Sequence, residues 1–184
     1  MTVLAIDQGT SGTKAIVVDP EDGVLGLAEV PVRPHYLDGG GVEQEPGELL
    51  DSVLNAGREA VARAGRPIHA ASLANQGETV LAWEPDTGRP LSQAIVWQDR
   101  RAEGLCSALA EHKQTFAART GLVLDPYFSA PKMAWLRRNV ETGGVVTTSD
   151  TWLIHQLTGA FVTDATTASD RLAVVASVTK APVS

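Results

Sequence analysis

Apolar positions in this chain come in short runs at first and at helical spacing later. Val3-Leu4-Ala5-Ile6 and Ala15-Ile16-Val17-Val18 flank Asp7-Gln8-Gly9-Thr10-Ser11-Gly12-Thr13-Lys14, which predicts strand, tight small-residue turn, strand. Pro20-Glu21-Asp22-Gly23 is turn chemistry, and a third strand is expected near 24–32. Residues 34–46 read as a loop containing Gly39-Gly40-Gly41. From Pro46 to Ala64, the residues Leu49, Leu50, Val53, Leu54, Gly57, Ala60, Val61 and Ala64 recur at helical spacing and form one buried stripe. Pro46 suits a first turn, Glu45 and Glu48 favour its positive end, and Gly65 stops it. Ile68 to Ala74 reads as a buried strand. A second hairpin follows, from Thr79–Trp83 through Pro85-Asp86-Thr87-Gly88 to Ala94-Ile95-Val96-Trp97. Beyond residue 101 the period turns helical near 101–119, 130–140 and 149–158, broken by Gly121, Pro126 and Gly143-Gly144. Strands, helix, strands, then helices predict a mixed α/β domain.

Composition narrows the classes. At 184 residues the chain fits one domain, or one domain with an elaboration. A net charge of −7 and a pI near 5.0 argue against a nucleic-acid surface, which needs a basic stripe. Cys106 alone cannot form an internal disulfide and leaves no cysteine-based metal site; it reads as a small hydrophobe on a helix. The four histidines are scattered. Neither a signal-peptide pattern nor a membrane-length apolar run is seen, so the cytoplasm is the expected location. The chain past Val175 shows neither helical nor strand pattern and reads as a tail or truncation point over 173–184.

The turn at 7–14 carries the chemistry. A carboxylate at a strand end, followed by glycines and hydroxyls, lets backbone N–H groups and hydroxyls approach phosphate oxygens, while the acid holds a magnesium ion or its waters. The spacing is not that of a Walker loop. On its own the same turn also describes an ordinary β-hairpin whose glycines supply positive φ.

Four further segments decide between these readings. They are Asn75-Gln76-Gly77-Glu78-Thr79, Ala94-Ile95-Val96-Trp97-Gln98-Asp99-Arg100-Arg101, Thr120-Gly121-Leu122-Val123-Leu124-Asp125-Pro126-Tyr127-Phe128-Ser129, and Asp150-Thr151-Trp152-Leu153-Ile154 with Leu157-Thr158-Gly159 and Thr163-Asp164. In this order and spacing the five segments resemble the N-terminal half of the FGGY carbohydrate kinases, nearest its glycerol kinase branch, over roughly residues 2–172.

The resemblance implies a ribonuclease-H-like (actin-like ATPase) α/β domain with a mixed sheet and flanking helices. It implies transfer of the γ-phosphoryl of ATP, with Mg2+, to a polyol or sugar hydroxyl. Asp7 then falls at the metal, and Thr10, Ser11, Gly12, Thr13 and Lys14 at the phosphate-binding turn. Lys14 stands where the glycerol kinases usually carry Arg, and it lacks the bidentate fork. Glu78, Trp97 and Tyr127, with Gln76 and Gly77 beside the carboxylate, fall at substrate-binding positions. A carboxylate accepts polyol hydroxyls, an indole covers the C–H face, and a phenol packs and donates. Gly77 replaces the Arg that glycerol kinases place next to this Glu, and Ser129-Ala130-Pro131-Lys132-Met133-Ala134-Trp135-Leu136 resembles the sugar kinases of the family. The resemblance thus implies glycerol or a related polyol or ketose as the acceptor, with Gly77 leaving room for a larger one.

The resemblance places the catalytic aspartate and the adenine pocket in a second domain beyond this chain, so the chain alone is expected to be inactive. A non-catalytic polyol-binding or interaction module on an actin-like fold is the alternative, and self-association of an edge-exposed half is left open. Trp83, Trp135 and Trp152 read as core. Asp99-Arg100-Arg101 reads as a solvated helix start, and Asp164 and Asp170 as capping or turn residues.

Overall fold

The structure, a computed structural model, describes residues 1–140 and 143–163. Asp164, Asp170 and the 173–184 tail lie outside the described residues. In chain order the strands and α-helices are β1 (Val3–Gln8), β2 (Gly12–Asp19), β3 (Gly23–Pro31), β4 (His35–Tyr36), β5 (Val42–Gln44), α1 (Pro46–Ala64), β6 (Ala70–Asn75), β7 (Val80–Trp83), β8 (Ala94–Ile95), α2 (Glu103–Ala108), α3 (Lys113–Thr120), α4 (Ser129–Asn139), β9 (Val145–Thr148) and α5 (Ser149–Thr158). The chain divides into two compact units. The first takes Met1–His35 and Gln44–Gln76; the second takes Tyr36–Glu43 and the chain from Gly77 onward.

In the first unit the sheet runs β3-β2-β1-β6. β1, β2 and β3 form an antiparallel meander, and β6 joins β1 in parallel, Val3 opposite Ala70 through Gln8 opposite Asn75. Period-two burial on β2 turns Thr13, Ala15, Val17 and Asp19 inward. Ala15, Val17 and Ala28 meet Ala56 and Ala60 of α1, with Leu4, Ile6, Leu25 and Val30 around them. Small side chains on both surfaces let the helix lie close to the sheet. The closest approach is at Gly26, where a Cβ would stand 2.2 Å from the Ala60 carbonyl oxygen. α1 has the predicted bounds: Glu45 accepts from the Glu48 N–H at its start, and Gly65 closes it at φ 61°. Ser52 belongs to the buried face although its polarity kept it out of the predicted stripe. Its hydroxyl lies 2.6 Å from that of Thr13.

One expectation fails here. The apolar 68–74 segment predicts a buried strand; β6 instead forms the sheet edge, with Ala70, Ala71, Ser72 and Ala74 exposed. Its pairing with β1 fixes the strand, and burial is not required for it.

In the second unit the sheet runs β4-β5-β8-β7-β9. The predicted hairpin is present, with Val80 opposite Ile95. The 34–46 loop holds two short strands, β4 and β5, and the 145–148 stretch before α5 is a strand paired along β7. The predicted 101–119 helix is broken into α2, a 3₁₀ turn at Ala110–His112, and α3. Cys106 and Phe116, ten positions apart, sit about 80° off a common face on an unbroken helix. The break lets both be buried. Among the described residues no helix is long and apolar enough to cross a membrane.

Candidate functional site

The candidate residues fall into two groups, one in each unit. In the first, residues 9–12 turn the chain from β1 to β2, closed by the Gly9 N–H donating to the Gly12 carbonyl at 2.9 Å. Neither Gly9 nor Gly12 has a positive φ. Each is glycine because backbone comes close: a Cβ on Gly9 would lie 3.1 Å from the Gly12 carbonyl oxygen, and one on Gly12 would lie 3.1 Å from that of Val30. The ordinary-hairpin account of these glycines therefore does not hold.

Three buried carboxamides brace this turn from within. Gln76 accepts the Thr10 hydroxyl at 3.0 Å and donates through its side-chain amide to Gln44 Oε1 at 2.7 Å. Gln44 donates to the Thr10 carbonyl at 2.8 Å, and Gln8 to that of Gly9 at 2.7 Å. Gln8 and Gln44 are fully buried. Each such bond contributes about 1 kcal/mol net, and a partner left buried and unpaired costs about 1–3 kcal/mol. The resemblance puts Gln76 among the substrate-binding residues; in the structure its amide is engaged on the turn, because β6 brings it beside Gln8, to whose main-chain carbonyl its N–H donates at 2.7 Å. Gln8 and Gln44 were missed; a polar side chain among strand residues gives no sign in one sequence of which face it takes.

Thr13, at the end of this turn, faces inward. The alternation of β2 points it into the core, where its hydroxyl meets Ser52, so it can offer a phosphate only backbone. Ser11 is exposed, while Lys14 and Asp7 occupy the outward face in register, Asp7 opposite Lys14 and Lys14 opposite Glu29. The Lys14 ammonium lies 3.7 Å from Glu29, with both side chains more than half exposed. A pair of this kind is worth at most about 1 kcal/mol, so the cation is readily drawn to another anion. Asp7, next to last on β1, is an exposed carboxylate.

The second group lies in the second unit. Glu78 has φ 64°, the only non-glycine residue at positive φ among those described. One of its carboxylate oxygens accepts both the N–H and the hydroxyl of Ser129, the first residue of α4. An acid at a helix start meets unpaired N–H groups and the positive end of the dipole, which offsets the backbone strain. Gly77 beside it is exposed. Tyr127 is 45% exposed, and its ring meets that of Trp97 edge-on at 5.8 Å. The structure thus places Trp97 and Tyr127 together, and ties Glu78 to Ser129, two residues past Tyr127. Trp83 and Trp152 are core, as predicted; Trp135 is half-buried under the Arg101 guanidinium at 4.9 Å.

Asp99 and Arg101 depart from the solvated helix start that the charges suggested. Asp99 is 1% exposed and accepts the Val42 N–H at 2.6 Å and the Arg101 N–H at 2.9 Å. Arg101 bonds Asp99 and Glu43. Burial disfavours its charge, but these carboxylates outweigh that and raise its pKa. The network pins β5 to the segment that carries Trp97. Arg100, by contrast, is exposed and pairs with Glu103.

An antiparallel meander with a fourth strand in parallel, and a glycine-lined turn at the first hairpin, defines the class: an actin-like, ribonuclease-H-like α/β fold. Within it the chain belongs to the FGGY family of carbohydrate kinases, matching that family's N-terminal domain over residues 2–174. It is 48% identical to the glycerol kinase of Thermus brockianus and 46% identical to that of Alkalilimnicola ehrlichii, in each case over 92% of this chain and 37% of the relative. The chain therefore spans a little over a third of these relatives' length. Among solved structures it is similar to Plasmodium falciparum glycerol kinase with ADP, at a TM-score of 0.79 and 26% identity, over 96% of this chain and 42% of that one. A xylulose kinase from Lactobacillus acidophilus shares the fold at a TM-score of 0.82 and 21% identity, over 92% and 36% of the two chains.

Proposed function

We propose that this chain is the N-terminal part of an ATP-dependent kinase that moves the γ-phosphoryl of Mg-ATP to a hydroxyl of glycerol or a related polyol or ketose. The observation that carries this reading is the 9–12 turn, glycine-lined and braced by buried carboxamides rather than left as a mobile hairpin. Phosphoryl transfer depends on positioning and on stabilising charge at the phosphoryl oxygens, which a rigid turn serves. Thr10, Ser11 and the backbone through Thr13 take the phosphate, with Lys14 supplying a cation. Magnesium keeps several waters and binds through one or two carboxylates plus phosphates. The single exposed carboxylate of Asp7 fits such an ion, which would neutralise phosphate charge. Glu78 accepts acceptor hydroxyls, and the Trp97–Tyr127 pair covers the C–H face. Gly77, in place of Arg, suits a larger polyol or ketose. The relatives are glycerol kinases and one related structure holds ADP, which supports this nucleotide and substrate class. The base that deprotonates the acceptor hydroxyl is assigned to residues outside this chain.

The test is a coupled ATP-consumption assay on this chain with magnesium and glycerol, erythritol, xylulose and ribulose, beside ligand-observed NMR on the same panel. The expected result is no turnover, with binding of at least one compound that is lost in Glu78→Gln. Substrate-dependent turnover would refute the assignment of the base. Binding of none would refute the polyol reading and favour a non-catalytic interaction module.

A further inference from the structure

Lys132 lies in the first turn of α4 and is completely inaccessible to solvent. Both facts disfavour a cation there: burial strips its hydration, and a helix start is the positive end of the dipole. Its ammonium donates to three consecutive carbonyls of the loop before the helix, those of Pro126 at 3.0 Å, Tyr127, and Phe128 at 2.8 Å. An ammonium has three rotatable donors and no acceptor, which suits a concave set of carbonyls. Three carbonyl dipoles converging on one point repel one another unless a cation sits among them. With those carbonyls turned in, the Tyr127 ring is held out, edge-on to Trp97. The next residue but one, Ser129, donates to Glu78.

We propose that Lys132 is the positioning residue of the acceptor side: its ammonium fixes the 126–128 loop, and through it the Tyr127 ring against Trp97. This rests on the polyol reading above for its functional consequence but not for its structural one. Lys132→Met keeps the length and the apolar stem and removes the charge and donors. The carbonyls then turn outward and Tyr127 loses its fixed place.

Two readouts test this on the full chain: amide hydrogen exchange at Tyr127, Phe128 and Ser129 without ligand, and polyol affinity by ligand-observed NMR. Leu136→Ala, a core truncation on the same helix, is the control. Lys132→Met is expected to speed exchange at these three amides tenfold or more beyond the rest of α4, and to weaken polyol binding tenfold or more. Leu136→Ala is expected to lower the melting temperature with affinity unchanged while folded. Wild-type exchange and affinity in Lys132→Met would overturn the proposal. If the wild-type chain binds no polyol, the polyol reading fails, and the exchange data still decide whether Lys132 holds the loop. Where Lys132→Met does not fold, Lys132→Arg carries the test. Its planar head cannot reach the three carbonyls together, so severalfold faster loop exchange supports the proposal and wild-type exchange overturns it.

Discussion

Gly26→Ala is the sharpest test of how the first unit is packed. The new Cβ would sit 2.2 Å from the Ala60 carbonyl oxygen and 3.0 Å from the Ala64 nitrogen, both backbone atoms of α1. A carbon–oxygen contact is comfortable near ~3.3 Å, so β3 and α1 must part by about 1 Å. Neither can do so alone. β3 is paired along β2, and a bulge between Val17 and Val18 already sets its course beside Gly26. α1 is held by the small-residue contact at Ala56 and Ala60. Overpacking costs about 1–3 kcal/mol, and a clash between two backbones belongs at the upper end, so ~3 kcal/mol is expected. That is roughly a hundredfold fall in the folded-to-unfolded ratio. Gly23→Ala separates this clash from glycine's conformational freedom, because Gly23 has φ 75° with nothing within 4 Å of a Cβ; strain alone costs it about 1 kcal/mol. All four tryptophans, at 83, 97, 135 and 152, lie in the second unit. The assay is therefore urea unfolding followed by far-ultraviolet circular dichroism, with hydrogen exchange over 1–35 and 44–76. A cost for Gly26→Ala no greater than that for Gly23→Ala would refute the close-packing argument.

Two further outcomes follow from titratable groups. The Glu21 N–H, working against desolvation, and then the Met1 ammonium and the Thr2 hydroxyl hold the Asp19 carboxyl down to about 2. A depressed folded-state pKa adds stability above the unfolded value of roughly 4 and loses it as pH falls toward about 2. Asp19→Asn should therefore melt below wild type at neutral pH, with the gap closing across that acid window; a gap independent of pH would sink the assignment. Burial raises the Cys106 thiol to about 11, so the native chain should react with a thiol reagent at mildly alkaline pH far more slowly than the urea-unfolded chain. Equal rates would show that the thiol is not enclosed.

The parts of this fold that were legible in the sequence are those fixed by local rules. α1 announces itself through Glu45, Pro46 and Gly65, and the first meander through its turns. What was not legible depends on distant partners. β5 and β9 are too short for a period, and β5 owes its place to Asp99, more than fifty residues on. Lys132, Asp99 and Gln44 carry polar side chains that a sequence reading sends to the surface. Their burial follows from carbonyls, an Arg and a second carboxamide that only the fold assembles. The family motifs single out Glu78, Trp97, Tyr127 and the 9–12 turn by position, and the structure brings Trp97 and Tyr127 together. They could not say which way each side chain points: Thr13 faces the core against Ser52, and Gln76 holds the Thr10 hydroxyl.

The second unit begins with a segment cut out of the first. Residues 36–43 are made before α1, yet β5, beside β4 from the start, has no second neighbour until β8, which starts fifty residues after β5 ends, at Ala94 against Gln44. A ribosome adding about 5–20 residues per second needs roughly 3–10 s for that stretch. The sheet of the first unit has all its strands once Asn75 has emerged. Synthesis thus produces a finished 9–12 turn while Trp97, Tyr127 and Lys132 are still unmade, and a pause between residues 76 and 94 would present a chaperone with a folded half and a short β4–β5 pair still lacking the rest of its sheet.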